Sequence, residues 1–130
     1  MMVIVVFLHM LRTFFLAAYK YPREFTWITG VVLLVSTLGM GFTGYLLPWN
    51  QRAYWATTVG TEIAGTVPWI GPFITNVLRG GGELSAVTLT RFFSMHIWFI
   101  PAIIGALIGI HIYMVIRLGI AGIPDKDEAS

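Results

Sequence analysis

The chain has 130 residues, of which 57% are hydrophobic and 11% charged, with a formal net charge of +2 and no cysteine. A soluble domain carries about 25% charged residues, so lipid is the expected solvent for most of this chain. The small net charge argues against a nucleic-acid partner, and the lack of cysteine excludes disulfides, a thiolate metal site and a thioether-attached prosthetic group within these residues.

Taken in chain order, the first apolar segment runs from Met1 to about Tyr19. It has no basic leader and no clean small-x-small cleavage site, so it is expected to be part of a membrane helix and not a signal peptide. A span needs roughly 20 residues at ~1.5 Å each, which makes this first segment marginal in length. Residues 20–25, "KYPREF", form a short basic turn, and such a connection makes the flanking helices antiparallel neighbours. A second span is expected from about Trp27 to Leu47 and a third from about Phe92 to Ile116.

The connector 48–91 is not purely polar. Apolar residues recur through it at three- and four-residue steps, and Pro68 and Gly71-Pro72 interrupt them. Two short amphipathic helices at about 51–64 and 72–79, lying at the membrane surface, fit this pattern. A loop follows at 79–84, and "SAVTLTR" leads into the third span. The predicted fold is therefore an all-α membrane protein, a transmembrane helical bundle fragment with three spans and a surface-lying helical connector. It occupies residues 1–120, and a flexible polar tail occupies 121–130. Arg12, Lys20, Arg23, Arg117 and Lys126 fall on one side, more densely than Arg52, Arg79 and Arg91 on the other. The loop 20–25 and the C-terminus are expected on the cytoplasmic, negative side.

All three histidines, His9, His96 and His111, lie within predicted spans. An ionisable side chain at membrane depth is costly unless satisfied, which makes each a functional candidate. A plain interhelical hydrogen bond is the competing role. From His96 to His111 a helix rises about 22 Å and turns about 1500°, roughly 60° past four full circles. The two imidazoles then point to about the same side, one near each membrane surface. Pro101 lies between them and can kink or locally rewind the helix. Histidine donors without nearby carboxylates or thiolates suit haem iron better than zinc. His9 and His111 match in depth, since each lies near basic residues of the same side, and together they can clamp one haem. His96 has no such partner in the chain. On the second span Gly30 and Gly44 share a face, with Thr37 and Gly41 near it. A stripe of small residues serves helix packing equally well, but beside the histidines it favours contact with a flat macrocycle.

The segments "FLHMLRTFF", "KYPREFTWITGVVL", "GFTGYLLPWNQRAYWATTV", "VPWIGP", "LTRFFSMH", "PAIIGALIGIH" and "VIRLGI" together resemble the N-terminal half of cytochrome b, most of all the cytochrome b6 type. The likeness runs from Met1 to about Ile120. In that family four helices, A to D, carry four histidines that hold two haems b. The resemblance implies that this chain supplies the end of helix B and helices C and D. His9 and His111 would ligate the negative-side haem and His96 the positive-side haem. Arg12 and Arg91 would face haem propionates, a charge-assisted pairing; interfacial anchoring is the competing role for both. Gly30, Thr37, Gly41 and Gly44 would contact the macrocycles. Pro48, Trp49, Tyr54, Trp55 and Val59 would border a quinol pocket, although an interfacial aromatic belt explains the aromatics as well. Arg117 would lie near a negative-side quinone site.

Helix A and the first histidine of helix B would precede Met1, so the intact protein is expected to be longer, with two haems b where this chain completes one bis-His pair. An extra covalent haem would depend on helix A. The implied function is that of the haem b-carrying subunit of a quinol–cytochrome c or plastocyanin reductase, with quinol as substrate. The implied partners are an iron–sulfur (Rieske) subunit, a c-type cytochrome subunit and a separate subunit with the remaining cytochrome b helices, in a dimer of complexes. The implied location is a bacterial cytoplasmic membrane or a thylakoid membrane. A dihaem b anchor of another oxidoreductase and a non-haem structural membrane subunit are the alternatives.

Overall fold

The computed structural model describes residues 1–120; the expected tail at 121–130, with Lys126, lies outside the described residues. The described chain is helical, with α1 Met2–Phe15, α2 Glu24–Tyr45, α3 Gln51–Gly65, α4 Gly71–Arg79 and α5 Ala86–Leu118. No strand occurs among the described residues.

Two helices are long and apolar enough to cross a membrane: α2, with 22 residues and a mean hydropathy of 1.7, and α5, with 33 residues and 2.3. Their apolar side chains stay largely exposed, Val32, Val35, Leu38, Ile108, Ile110 and Ile112 among them. A core helix of a soluble protein would bury that surface. The first helix, with 14 residues, is apolar but shorter than these two. It stops at Phe15 because the chain turns at Ala17, whose φ of 51° is left-handed and incompatible with continuing the helix. The residues beyond fold back, so that Tyr19 stacks on Phe14 at 5.7 Å and meets Trp27 of α2 at 5.5 Å.

α5 is not uniform. Its first stretch, Ala86–Ser94, is α-helical and begins before the apolar run, since Ser85 N–H donates to Thr88 Oγ1 at 3.0 Å and caps it. "SAVTLTR" is thus mostly helix. A π turn follows at Met95–Phe99, where Ile100 N–H reaches back to Met95 O. The α-helix resumes as Ile100–Leu118. Pro101 brings no donor and crowds the preceding turn, and a π turn beside it is the local rewinding the sequence led one to expect.

Contacts divide the chain into two compact units. The first comprises Met1–Leu38 and the described part of Ile103–Ser130. Besides the aromatic stack, it is tied by Arg23 Nε donating to Gly119 O at 3.2 Å. The second unit is Gly39–Ala102. There α3 packs on α4, and α4 on the first stretch of α5. Asn50 caps α3 by accepting from Ala53 N–H at 2.9 Å, and Gly80 closes α4 in the left-handed region at φ 77°, where glycine carries no steric cost.

The connector within this second unit turns a polar stripe inward. Ala53, Thr57 and Thr61 are buried, while Trp55, Val59 and Ile63 of the same helix are exposed. Arg79, 7% exposed, fills the centre. Its guanidinium donates to Thr61 Oγ1 at 2.7 Å, Thr58 O at 2.9 Å and Gly82 O at 3.0 Å, and Glu62 lies 3.5 Å away. A buried charge is tolerable only with such full pairing. Polar groups inside and large apolar groups outside is the reverse of a water-facing element.

Candidate cofactor site

In the first unit, α1 and α5 bring His9 and His111 to the wall of one cavity of ≈ 280 Å³. This lies just under the ~300 Å³ at which ligand sites usually begin. Arg12, Arg23, Thr26 and Gly30 line it too. The His111 ring rests against Gly30: a Cβ built there would lie 3.4 Å from His111 Cε1. His111 Nδ1 is 2.9 Å from Thr29 Oγ1. The Thr26 hydroxyl, buried, has no hydrogen-bond partner.

In the second unit, His96 sits on the π turn of α5. A Cβ at Gly44 would come within 2.6 Å of His96 Cε1, so glycine is required for the ring to lie where it does. His96 Nδ1 is 3.0 Å from Met40 O and 3.3 Å from Thr43 Oγ1.

The remaining expected residues distribute as follows. Thr37 is buried and its hydroxyl donates to Leu33 O at 2.8 Å. Gly41 has open space where its Cβ would be, so it touches neither imidazole. Arg91 turns to the C-terminal carbonyls of α4 and donates to Asn76 O at 3.2 Å and to Val77 O, a placement that complements the negative end of that helix. Trp49, Tyr54 and Trp55 form an edge-to-face chain with centroids 6.1 and 5.4 Å apart. Pro48 precedes Trp49 at the turn into α3, and Trp55 and Val59 lie one turn apart on its exposed face. The Arg117 guanidinium stacks on the Tyr113 ring at 5.3 Å. The sequence reading missed Thr29, Thr43, the Met40 carbonyl, Thr26 and Arg23. The signal for the first two was present, since Thr29 directly precedes Gly30 and Thr43 directly precedes Gly44, two of the three glycines already singled out.

The donor set fits a macrocycle-borne iron. No group of three or more His, Cys, Asp or Glu side chains gathers among the described residues; imidazoles alone suit a group that brings its own equatorial donors. Two cationic side chains, one orphaned hydroxyl and a glycine-floored ring in one cavity suit an apolar, flat group with an anionic edge.

Imidazole donors on a helix long and apolar enough to cross a membrane are what membrane haem proteins of electron transport present. The chain belongs to the family described as "Cytochrome b(N-terminal)/b6/petB", whose model matches residues 1–129. It is 49% identical to the menaquinol:cytochrome c reductase cytochrome b subunit of Geobacillus thermodenitrificans over 94% of this chain and 55% of that protein. It is 44% identical to cytochrome b6 of Heliobacterium modesticaldum over 93% of this chain and 57% of that one. It is 46% identical to the cytochrome bc complex cytochrome b subunit of Chlorobaculum thiosulfatiphilum over 92% of this chain and 28% of that one. The chain therefore spans about half the length of the first two relatives.

Proposed function

We propose that the chain is the haem b-carrying part of a quinol:cytochrome c or quinol:plastocyanin reductase, in which electron transfer from quinol across the membrane is coupled to proton translocation. One observation carries the proposal: His9 and His111 line a single cavity. In this reading they are the axial ligands of one haem b, with Arg12 placed for its propionates. His96 would ligate a second haem b, whose other axial donor comes from a residue outside this sequence. When bound, haem b supplies one-electron transfer at its iron.

The chain's own residues do the rest. Gly30 and Gly44 admit an imidazole ring against the α2 backbone. The apolar faces of α2 and α5 exclude water and keep the local dielectric low, which strengthens every charge effect on the site. Trp49, Tyr54, Trp55 and Val59, with Pro48 at the bend, form the apolar wall against which quinol would rest. The exposure of Trp49 before α3 and of Trp55 and Val59 on it supports that role. Arg117 would stand by a quinone site on the negative side.

The partners in this reading are those the resemblance implies, an iron–sulfur (Rieske) subunit, a c-type cytochrome and a subunit carrying further cytochrome b helices, in a dimer of complexes; the relatives' names speak of a menaquinol:cytochrome c reductase and a cytochrome bc complex. The membrane would be a bacterial cytoplasmic or thylakoid membrane, with the 20–25 loop on the negative side. The test is a reduced-minus-oxidised visible spectrum of the purified complex. A b-type band that forms on adding quinol is expected. A complex containing this chain but no b-type band would refute the proposal.

A further inference from the structure

The dipeptide Thr-Gly occurs twice on α2, at Thr29-Gly30 and at Thr43-Gly44, and each copy backs one imidazole of α5. A threonine hydroxyl has one proton to give. Thr26 O lies 2.9 Å from the Thr29 hydroxyl and can take that proton. Gly39 O at 2.9 Å and Met40 O at 3.2 Å can take the proton of Thr43. A hydroxyl engaged in this way accepts from the imidazole, an arrangement that places the ring proton on Nδ1 of His111 and of His96. Met40 O, which has no proton to donate, enforces the same tautomer at His96. In both rings the lone pair is left on Nε2.

We propose that Thr29 and Thr43 are positioning residues that lock His111 and His96 in the tautomer presenting Nε2 to iron, and that they thereby set the reduction potentials of the two haems. This rests on the haem ligation proposed above. An Nδ1–H held by an acceptor makes the imidazole a more basic ligand, which favours the ferric iron and lowers the potential. The two threonines do not contribute equally. At His96 the Met40 carbonyl is the nearer acceptor, 3.0 Å against 3.3 Å for Thr43. At His111 the Thr29 hydroxyl lies at 2.9 Å. Thr29 therefore governs its site more strongly than Thr43 governs its own.

The experiment is a potentiometric titration of the haem b bands in the intact complex for Thr29→Val, Thr29→Ser and Thr43→Val. Valine keeps the shape and removes the acceptor; serine keeps the acceptor. In T29V both haems are expected to remain. The potential of the haem held by His111 should rise by about a tenfold change in the ferric-to-ferrous ratio, or ~59 mV for one electron. T29S should restore the wild-type value, and T43V should move only the other haem, by less. Haem present at an unchanged potential in T29V overturns the inference while leaving the haem assignment standing. Equal shifts in T29V and T29S, or a larger shift in T43V than in T29V, also overturn it. If T29V does not assemble, T43V carries the test: a rise in the potential of the His96 haem supports the inference and no change refutes it. A wild-type complex without a b-type band overturns the haem assignment itself.

Discussion

At Gly30 an added Cβ would lie 3.4 Å from the His111 ring, whereas at Gly44 the same atom would lie 2.6 Å from the His96 ring. The local sequence is the same Thr-Gly dipeptide on the same helix. The first spacing is ordinary contact, and a slight shift of the ring absorbs it. The second is a clash that no rotation of a held ring relieves, because Cβ would also meet Nδ1 at 3.1 Å and Nε2 at 3.2 Å. His96 is also the more constrained of the two in its bonding, with two acceptors at Nδ1 and a seat on a π turn. The contrast teaches that a motif does not fix its own tolerance. The seating of the neighbouring ring does so.

The largest expected effect breaks or upholds that contrast directly. Gly44→Ala should remove the haem assigned to His96 from the intact complex, halving a haem content of two, read as haem per protein. Gly30→Ala should keep both haems, with at most a small shift of one band. Equal losses in the two variants would mean that the two corners are alike after all.

A smaller effect concerns how the second unit is held. Arg79→Met removes three hydrogen bonds from a buried guanidinium and leaves Thr61 and two carbonyls to find other partners. A loss of roughly 2–3 kcal/mol is expected, seen as a lower thermal midpoint and faster proteolysis at the turn between α3 and α4. The haem held by His9 and His111 should be unaffected. A fall in its occupancy would show that the connector reaches further than its own unit.

Much of this architecture was legible in the sequence, and the exceptions have physical causes. Hydropathy located α2 and the apolar stretch of α5, and the Pro68 and Gly71-Pro72 breaks located α3 and α4 to within a residue or so. Hydropathy does not register caps, so the start of α5 at Ala86, set by Ser85 and Thr88, lay outside the apolar run. Nor does it register backbone handedness, so α1 was expected to continue past Ala17. At the site, the histidines and glycines stood out because imidazoles in a membrane span are costly and glycines on one face are conspicuous. The threonines did not. A threonine in a helix ordinarily bonds its own backbone, as Thr29 and Thr43 both do, and its second role exists only once α5 lies beside α2. The inward Arg79 was hidden for the same reason, since its partners Thr58 and Thr61 lie on another helix.

Of all measurements, the most direct compares the haem spectra of three variants of the intact complex: His9→Ala, His111→Ala and the double variant. If these two imidazoles grip one iron, each single variant loses the same b-type signal, the other signal persists, and the double variant loses nothing more. Loss of different signals in the two single variants, or retention of both signals in either, would contradict the account.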